Sequence, residues 1–208
     1  MIAIIDYGAG NLKSVEKAFA FLGYNACITQ DKDIISSADA VVLPGVGAFG
    51  DAMQNIRKRS LENTISDIIA AGKPFLGICL GLQLLFETSE ETPGVTGLGI
   101  LHGDIVKIPK SNGLKIPHMG WNSIDIVKKD GLFKGIDENP FVYFVHSYYL
   151  KPADSSCVSA RVDYGSVLDI AVSSKNIHAT QFHPEKSGNT GLKMLDNFAK
   201  MSLDGGAF

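Results

Sequence analysis

The stretch PFLGICLGLQLLF at residues 74–86 joins a predicted strand to a predicted helix at a single cysteine. Its apolar first part predicts a buried strand over Phe75–Ile78, and its second part predicts a helix over Leu82–Phe86. The glycines two residues to either side of Cys79 have no Cβ atom, so strand and helix can approach closely. Such a sharp turn exposes the nucleophile in one class of α/β enzymes. The stretch therefore predicts an α/β fold with a candidate nucleophile at a strand end.

The first half of the chain repeats this alternation of strand and helix. Strands are predicted at Ile2–Asp6, Ala26–Thr29 and Ala40–Leu43, and helices at Asn11–Leu22 and Ala52–Ala71, the last interrupted near Ser60. Nearly continuous apolar strands that alternate with helices indicate a parallel sheet covered on both faces.

The second half is richer in strands that follow one another after short turns. They are predicted at Ile100–Ile108, Ser123–Val127, Phe141–Leu150, Cys157–Val162, Val167–Ser173 and Ile177–Phe182, before a closing helix at Gly191–Met201. The predicted fold class is mixed α/β, with a mainly parallel central sheet, helices on both faces and an antiparallel extension. We expect one domain over residues 1–208.

Composition excludes several classes of protein. The 208 residues carry a net charge of −3 without a basic patch, which argues against nucleic-acid binding. Three widely spaced cysteines favour neither a disulfide framework nor a zinc site, and we expect no metal and no cofactor. The first residues lack the basic start of a signal peptide, and no apolar run is long enough to span a membrane. A cytoplasmic protein is expected.

A cysteine nucleophile requires a base, and the base requires an orienting group. The segment QFHPEK at residues 181–186 supplies both types of residue. His183 follows a predicted strand, so in a parallel sheet it lies at the same carboxyl edge as Cys79. In an extended chain Glu185 points to the same side as His183, and its carboxylate can set the imidazole tautomer. Taken singly, a core cysteine and a surface His–Glu pair remain the alternatives.

A glycine-rich loop, LPGVGAFG at residues 43–50, follows a third strand. Its backbone N–H groups at Gly45 and Val46, with the N–H of Leu80, are candidates for stabilising an oxyanion. The loop lacks the Gly-Lys-Ser/Thr ending of a phosphate-binding loop. A plain strand-to-helix turn is the alternative.

Together these motifs resemble the class I (triad-type) glutamine amidotransferases over essentially the whole chain. The general family motifs are PGVG at 44–47, GICLGLQLL at 77–85 and FHPE at 182–185. Further segments resemble one branch of the family, the glutaminase subunits of imidazole glycerol phosphate synthase. They are DYGAGNL at 6–12, PHMGWN at 117–122, YFVHSY at 143–148 and HPEKS at 183–187.

The resemblance implies roles for individual residues. Cys79 is then the nucleophile, His183 the acid/base and Glu185 its orienter, and four residues are expected to hold L-glutamine: Gln83, Glu91, Ser147 and Tyr148. The carboxylate of Glu91 suits the α-ammonium group of glutamine. His146 is expected on a strand near the substrate or subunit surface, and structural roles are expected for His102, His118 and His178.

The resemblance also implies a partner, a (β/α)8-barrel cyclase subunit that consumes the ammonia in histidine biosynthesis. Trp121, in a predicted loop, and Lys186 are candidate interface residues, with a core position as the alternative for Trp121. Three other functions stay open: the same glutaminase serving a different synthase, a cysteine peptidase or esterase, and a non-catalytic binding module.

Overall fold

The computed structural model describes residues 1–111 and 113–203. Its helices are α1 (Leu12–Phe21), α2 (Lys32–Ser37), α3 (Phe49–Lys58), α4 (Glu62–Ala70), α5 (Leu80–Gln83) and α6 (Gly188–Leu203). Its strands are β1 (Ile2–Ile5), β2 (Ala26–Thr29), β3 (Ala40–Gly45), β4 (Phe75–Cys79), β5 (Thr88–Ser89), β6 (Gly103–Lys107), β7 (His118–Ser123), β8 (Asp125–Ile126), β9 (Phe141–His146), β10 (Tyr148–Pro152), β11 (Val158–Asp163), β12 (Val167–Ser174) and β13 (Ile177–Thr180).

The central sheet has a parallel half and a mainly antiparallel half. Within the described residues the order is β2-β1-β3-β4-β13-β12-β10-β6-β5, and β11 extends from β12 to reach β8. Strands β2, β1, β3, β4 and β13 run parallel, whereas β12 is antiparallel to β13, β10 and β11. The mixed α/β fold class predicted from the sequence is confirmed.

Apolar strand residues alternate between two cores, one on each face of the sheet. Ile2 and Ile4 pack with α1 and α6, whereas Ala3 and Ile5 pack with α2, α3 and α4. Every residue of β1, β3, β4 and β13 is buried, as expected for strands covered on both sides. No helix in the described part of the chain is long and apolar enough to cross a membrane.

The strand predicted at Phe141–Leu150 is wrong as a single element. It divides at Ser147 into β9, which pairs only with β7 in a separate two-stranded sheet of the described residues, and β10, which joins the central sheet. Strand β7 was expected to be a loop. Its sequence HMGWNS contains Gly120, at φ 130°, and Asn122, both poor strand formers, so local propensity does not predict its pairing with β9.

The helix predicted at Leu82–Phe86 is also wrong in extent, because regular α-helix ends at Gln83. The carbonyl groups of Leu84, Leu85 and Phe86 accept hydrogen bonds from backbone N–H groups of residues 98–101 instead of from a further helical turn. By contrast, the predicted interruption near Ser60 is confirmed: α3 and α4 are separated there, and Ser60 has φ 53°.

Candidate active site

Three strand ends meet at the carboxyl edge of the parallel half. Gly45, the last residue of β3, pairs with Cys79, the last residue of β4, and Ile78 pairs with Thr180 at the end of β13. This register brings the glycine-rich loop, the cysteine turn and the segment containing His183 to one edge. Ligands bind at such an edge in α/β sheets.

The backbone at Cys79 adopts a conformation that non-glycine residues rarely take, with φ 55° and ψ −109°. The turn depends on Gly81, where an added Cβ would lie 1.8 Å from the Leu43 carbonyl oxygen. At Gly77 a Cβ would lie 3.0 Å from the Gly81 carbonyl oxygen. Both glycines therefore allow the close approach of strand and helix that their positions in the sequence predicted.

His183 and Glu185 form a buried pair. The Nδ1–H of His183 donates to Oε1 of Glu185 at 2.7 Å, and the two side chains are 1% and 0% exposed. His183 is extended, as predicted for a residue before proline. Residues 184–186 form a 3-10 turn rather than an extended segment, so the contact is made across a turn. The carboxylate can only accept, which assigns the Nδ1 proton.

Opposing effects determine the pKa of His183. Burial by itself lowers it, because a buried site disfavours the charged ring. The close approach of Cys79, the hydrogen bond to Glu185 and charge interactions with both groups act in the opposite direction, and the net result raises the pKa of His183 to about 10. Nε2 faces Cys79, although no hydrogen bond of ordinary geometry joins it to the sulfur. These partners therefore favour the imidazolium, which is the form of the ring that can donate a proton.

A cavity of about 300 Å³ opens beside Cys79. Its walls include six more of the residues selected from the sequence: Val46, Leu80, Gln83, Glu91, Ser147 and Tyr148. Its other walls come from Gly47, Pro117, Val145, His146 and Gln181. Gly45, His183 and Glu185 are not among its walls, and neither are Trp121 and Lys186. The structure thus brings together the sulfur and all four expected glutamine-binding residues.

Two cavity residues already have partners within the protein. Oε2 of Glu91 accepts the backbone N–H of Phe49, the first residue of α3, at 2.7 Å. The side-chain amide of Gln83 donates to Oε1 of Gln181 at 2.9 Å and to the Tyr148 carbonyl at 3.4 Å. Glu91 is therefore held at the cavity wall, and the N–H groups of Gln83 are directed towards protein groups.

The proposed oxyanion donors come from two segments, the end of β3 with the residue after it and the residue directly after Cys79. Position 45 requires a glycine, because a Cβ there would lie 2.2 Å from the Tyr7 hydroxyl oxygen and 3.0 Å from Cβ of Leu80. Val46 is 39% exposed at the cavity wall, and Leu80 is the first residue of α5. Gly47 has φ 113°, a conformation that favours glycine.

Comparison with known proteins identifies the family. The family model described as glutamine amidotransferase class-I matches residues 3–201. The chain belongs to the class I glutamine amidotransferases.

Relatives of this amidotransferase have a more specific name. A protein of Methanothermobacter thermautotrophicus is 53% identical over 97% of the chain and 98% of its own length, and it is named imidazole glycerol phosphate synthase subunit HisH. A Methanococcus maripaludis protein named subunit HisH 1 of the same synthase is 50% identical, over 97% of the chain and 100% of its own length. A crystal structure of a glutamine amidotransferase superposes with TM-score 0.76 at 18% identity, covering 97% and 99% of the two chains, which shows the shared fold.

Two polar residues at the amidotransferase site were not selected from the sequence. Asn11 donates from Nδ2 to the same Glu185 oxygen that binds His183. Gln181 lines the cavity, and its Nε2 lies 3.6 Å from the Cys79 sulfur. The sequence offered a weak signal for each: Asn11 is the polar residue after the glycines that follow β1, and Gln181 is the first residue of QFHPEK. Neither signal alone distinguishes a site residue from an ordinary polar residue.

The candidate interface residues of the amidotransferase are exposed. Trp121 is 55% exposed on β7, so the alternative of a core tryptophan is wrong, as is its placement in a loop. Its ring makes an edge contact with Tyr143 of β9, with centroids 6.2 Å apart. Lys186 is exposed in the turn after His183. No cluster of His, Cys, Asp or Glu in the described ranges could hold a metal ion.

Proposed function

We propose that this amidotransferase is the glutaminase subunit of an imidazole glycerol phosphate synthase. It hydrolyses L-glutamine through a thioester on Cys79 and passes the ammonia to a (β/α)8-barrel cyclase subunit. One observation carries the proposal: the cavity beside Cys79 has a fixed carboxylate, Glu91, in its wall and the His183–Glu185 pair next to the sulfur. The names of relatives at about 50% identity support the choice of synthase.

Glutamine binding needs groups for both ends of the substrate. The Glu91 carboxylate suits the α-ammonium group, and Ser147 and Tyr148 in the cavity wall offer hydrogen bonds to the α-carboxylate and carboxamide. Gln83 supports this wall through its bond to the Tyr148 carbonyl. The substrate's carboxamide carbon is then held next to the sulfur, which removes much of the entropic cost of the reaction.

The chemistry divides into two acyl-transfer steps. The Cys79 thiolate attacks the carboxamide carbon, and backbone N–H groups of Gly45, Val46 and Leu80 stabilise the negative oxygen. The His183 imidazolium protonates the nitrogen as the C–N bond breaks, which releases ammonia and leaves the thioester. His183, now neutral, takes a proton from water as the water attacks. The C–S bond then breaks, which releases glutamate and regenerates the thiolate.

The ammonia requires a partner. In water it becomes ammonium, which is not a nucleophile, so a synthase must receive it before it escapes. We assign the receiving surface to the outer face of the β7–β9 sheet, where Met119, Trp121 and Phe141 are exposed. Lys186 offers a charge for the same interface. Histidine biosynthesis is the pathway of this reaction, and the cytoplasmic location stays a prediction.

The test separates the two half-reactions. We expect Cys79→Ala to abolish glutamine-dependent formation of imidazole glycerol phosphate by the reconstituted complex and to leave ammonia-dependent formation unchanged. Cys27→Ala, in β2, is the matched control and should retain both activities. Loss of both activities in Cys79→Ala, or ammonia transfer only to a different synthase, would contradict the proposal.

A further inference from the structure

Gln181 is a fully buried polar side chain that contacts the sulfur of Cys79. It is 0% exposed, and its backbone N–H is bound by the Ile170 carbonyl at 2.7 Å. Its side chain reaches the cavity, where Nε2 lies 3.6 Å from Sγ of Cys79, within hydrogen-bond range for sulfur. The triad assigned above does not use this residue.

Neighbouring groups determine which end of the Gln181 amide faces the sulfur. The Tyr148 carbonyl can only accept, so Gln83 must present its NH2 group there, at 3.4 Å. The same NH2 group donates its other hydrogen to Oε1 of Gln181 at 2.9 Å. Consequently Nε2 of Gln181, a donor, faces Cys79. Nδ1 of His146 also binds the Tyr148 carbonyl, at 2.9 Å, and helps to hold that carbonyl in place.

The strength of the contact depends on the protonation state of the sulfur. A thiol is a weak acceptor, so it compensates poorly for the burial of an amide N–H. A thiolate is a charged acceptor and forms a considerably stronger hydrogen bond. The buried Gln181 amide is therefore well satisfied at both ends only when Cys79 is ionised. An ordinary core glutamine would have two good partners irrespective of the state of Cys79.

We propose that Gln181 is a further catalytic residue, which donates a hydrogen bond to the Cys79 thiolate and directs the sulfur into the cavity. Gln83 is its positioning residue, because it fixes the amide orientation. The inference rests on the proposed role of Cys79 as nucleophile and adds a second group, beside His183, that stabilises the reactive form.

The test measures the reactivity of the sulfur directly. Gln181→Met keeps the length of the side chain and removes the donor, and Gln54→Met on the exposed face of α3 is the matched control. Iodoacetamide labelling of each cysteine is followed by mass spectrometry of its peptide, with Cys27 and Cys157 as internal references. Near neutral pH we expect Gln181→Met to slow labelling of Cys79 about tenfold, with no change at the other two cysteines.

The pH dependence distinguishes this role from a purely structural one. A donor that acts by favouring the thiolate matters less as hydroxide makes the thiolate form more readily, so the difference in labelling rate between wild type and variant should shrink as pH rises. The kcat for glutamine in the complex should fall about tenfold with little change in KM. If Gln181→Met folds poorly, Gln181→Asn takes its place in the test. Asn keeps the polarity of the side chain and withdraws the amide from the sulfur, so it should slow labelling of Cys79 in the same way.

Two results would overturn the inference. One is labelling of Cys79 in both Gln181→Met and Gln181→Asn at the wild-type rate near neutral pH, and the other is a slowing of that labelling by the same factor at every pH. If wild-type protein hydrolyses glutamine and Cys79→Ala does not, the proposed function stands whatever Gln181→Met does. If Cys79→Ala still hydrolyses glutamine, the proposed function fails first.

Discussion

At the scale of single residues, the site depends on groups held in unusual states. Cys79 has a positive φ that Gly77 and Gly81 make possible, because neither could carry a side chain without contacts of 3.0 Å or less. His183 is buried yet has a raised pKa, because Cys79 and Glu185 stabilise its charged form. Such strained and electrostatically coupled residues cluster where catalysis needs them.

The raised pKa of His183 predicts a pH-dependent contribution to stability. The pKa is about 10 in the folded protein, against an ordinary value of 6.5. The His183 ring therefore binds its proton more tightly in the folded state than in the unfolded state. Its contribution to folding stability is complete below pH 6.5 and is lost as the pH rises towards the folded-state pKa. We expect the free energy of unfolding to fall across this range more steeply in wild type than in His183→Asn. Urea unfolding at several pH values measures the difference, and parallel curves would contradict the assignment.

At the scale of elements, short segments that break their own regularity form the cavity. Helix α5 ends at Gln83, and the backbone carbonyls of the next residues bind the 98–101 segment. Ser147 separates β9 from β10, which places Ser147 and Tyr148 in the cavity wall. Glu91 links this wall to α3 by capping the N–H of its first residue, Phe49.

The two roles of Glu91 can be separated by two substitutions. Glu91→Gln keeps an oxygen acceptor for Phe49 and removes the charge, so we expect the KM for glutamine to rise about tenfold with little change in melting temperature. Glu91→Ala also removes the cap and should cost about 1 kcal/mol of folding free energy. Steady-state kinetics and thermal unfolding of both variants provide the measurements. A Glu91→Gln enzyme with an unchanged KM would exclude the ammonium-binding role.

At the scale of the whole molecule, the catalytic edge and the proposed partner surface are adjacent. Trp121 lies beside Gly188, since a Cβ placed there would be 4.0 Å from its ring. Gly188 begins α6, directly after the turn that contains Glu185 and Lys186. A partner bound over Trp121 would therefore cover the side of the molecule that holds the triad, as direct transfer of ammonia requires.

Replacement of Trp121 should weaken association with the barrel subunit without unfolding the glutaminase. We expect Trp121→Ala to cost about 2 kcal/mol of binding free energy, since exposed tryptophans at interfaces are frequent hot spots. Isothermal titration calorimetry with the barrel subunit measures the loss. Phe21→Ala is the control, because Phe21 is also an exposed aromatic residue, 78% exposed. It is the last residue of α1, at the opposite end of that helix from the catalytic edge. Equal affinity of both variants would place the interface elsewhere.

Sequence reasoning predicted the parallel half of the fold well, because its signals are local. Runs of apolar residues located the fully buried strands β1, β3 and β4 and the partly buried β2, and helical periodicity and flanking glycines located the helices beside them and the turn at Cys79. It was less successful for β7, β9 and α5. Their limits are determined by hydrogen bonds to distant segments, and these override local propensity.

The sequence by itself determined the α/β class, the family and the candidate residues Cys79, His183 and Glu185. The alternation of apolar strands and helices indicates the class, and short motifs at predicted strand ends mark the family and the three residues. Only the tertiary structure decided which groups touch them. Asn11 reaches Glu185 across 174 positions of the chain, and Gln181 reaches Cys79 across 102. The physical reason is that a hydrogen bond depends on position and direction in space. The order of strands in the sheet sets both, and residue spacing does not encode them.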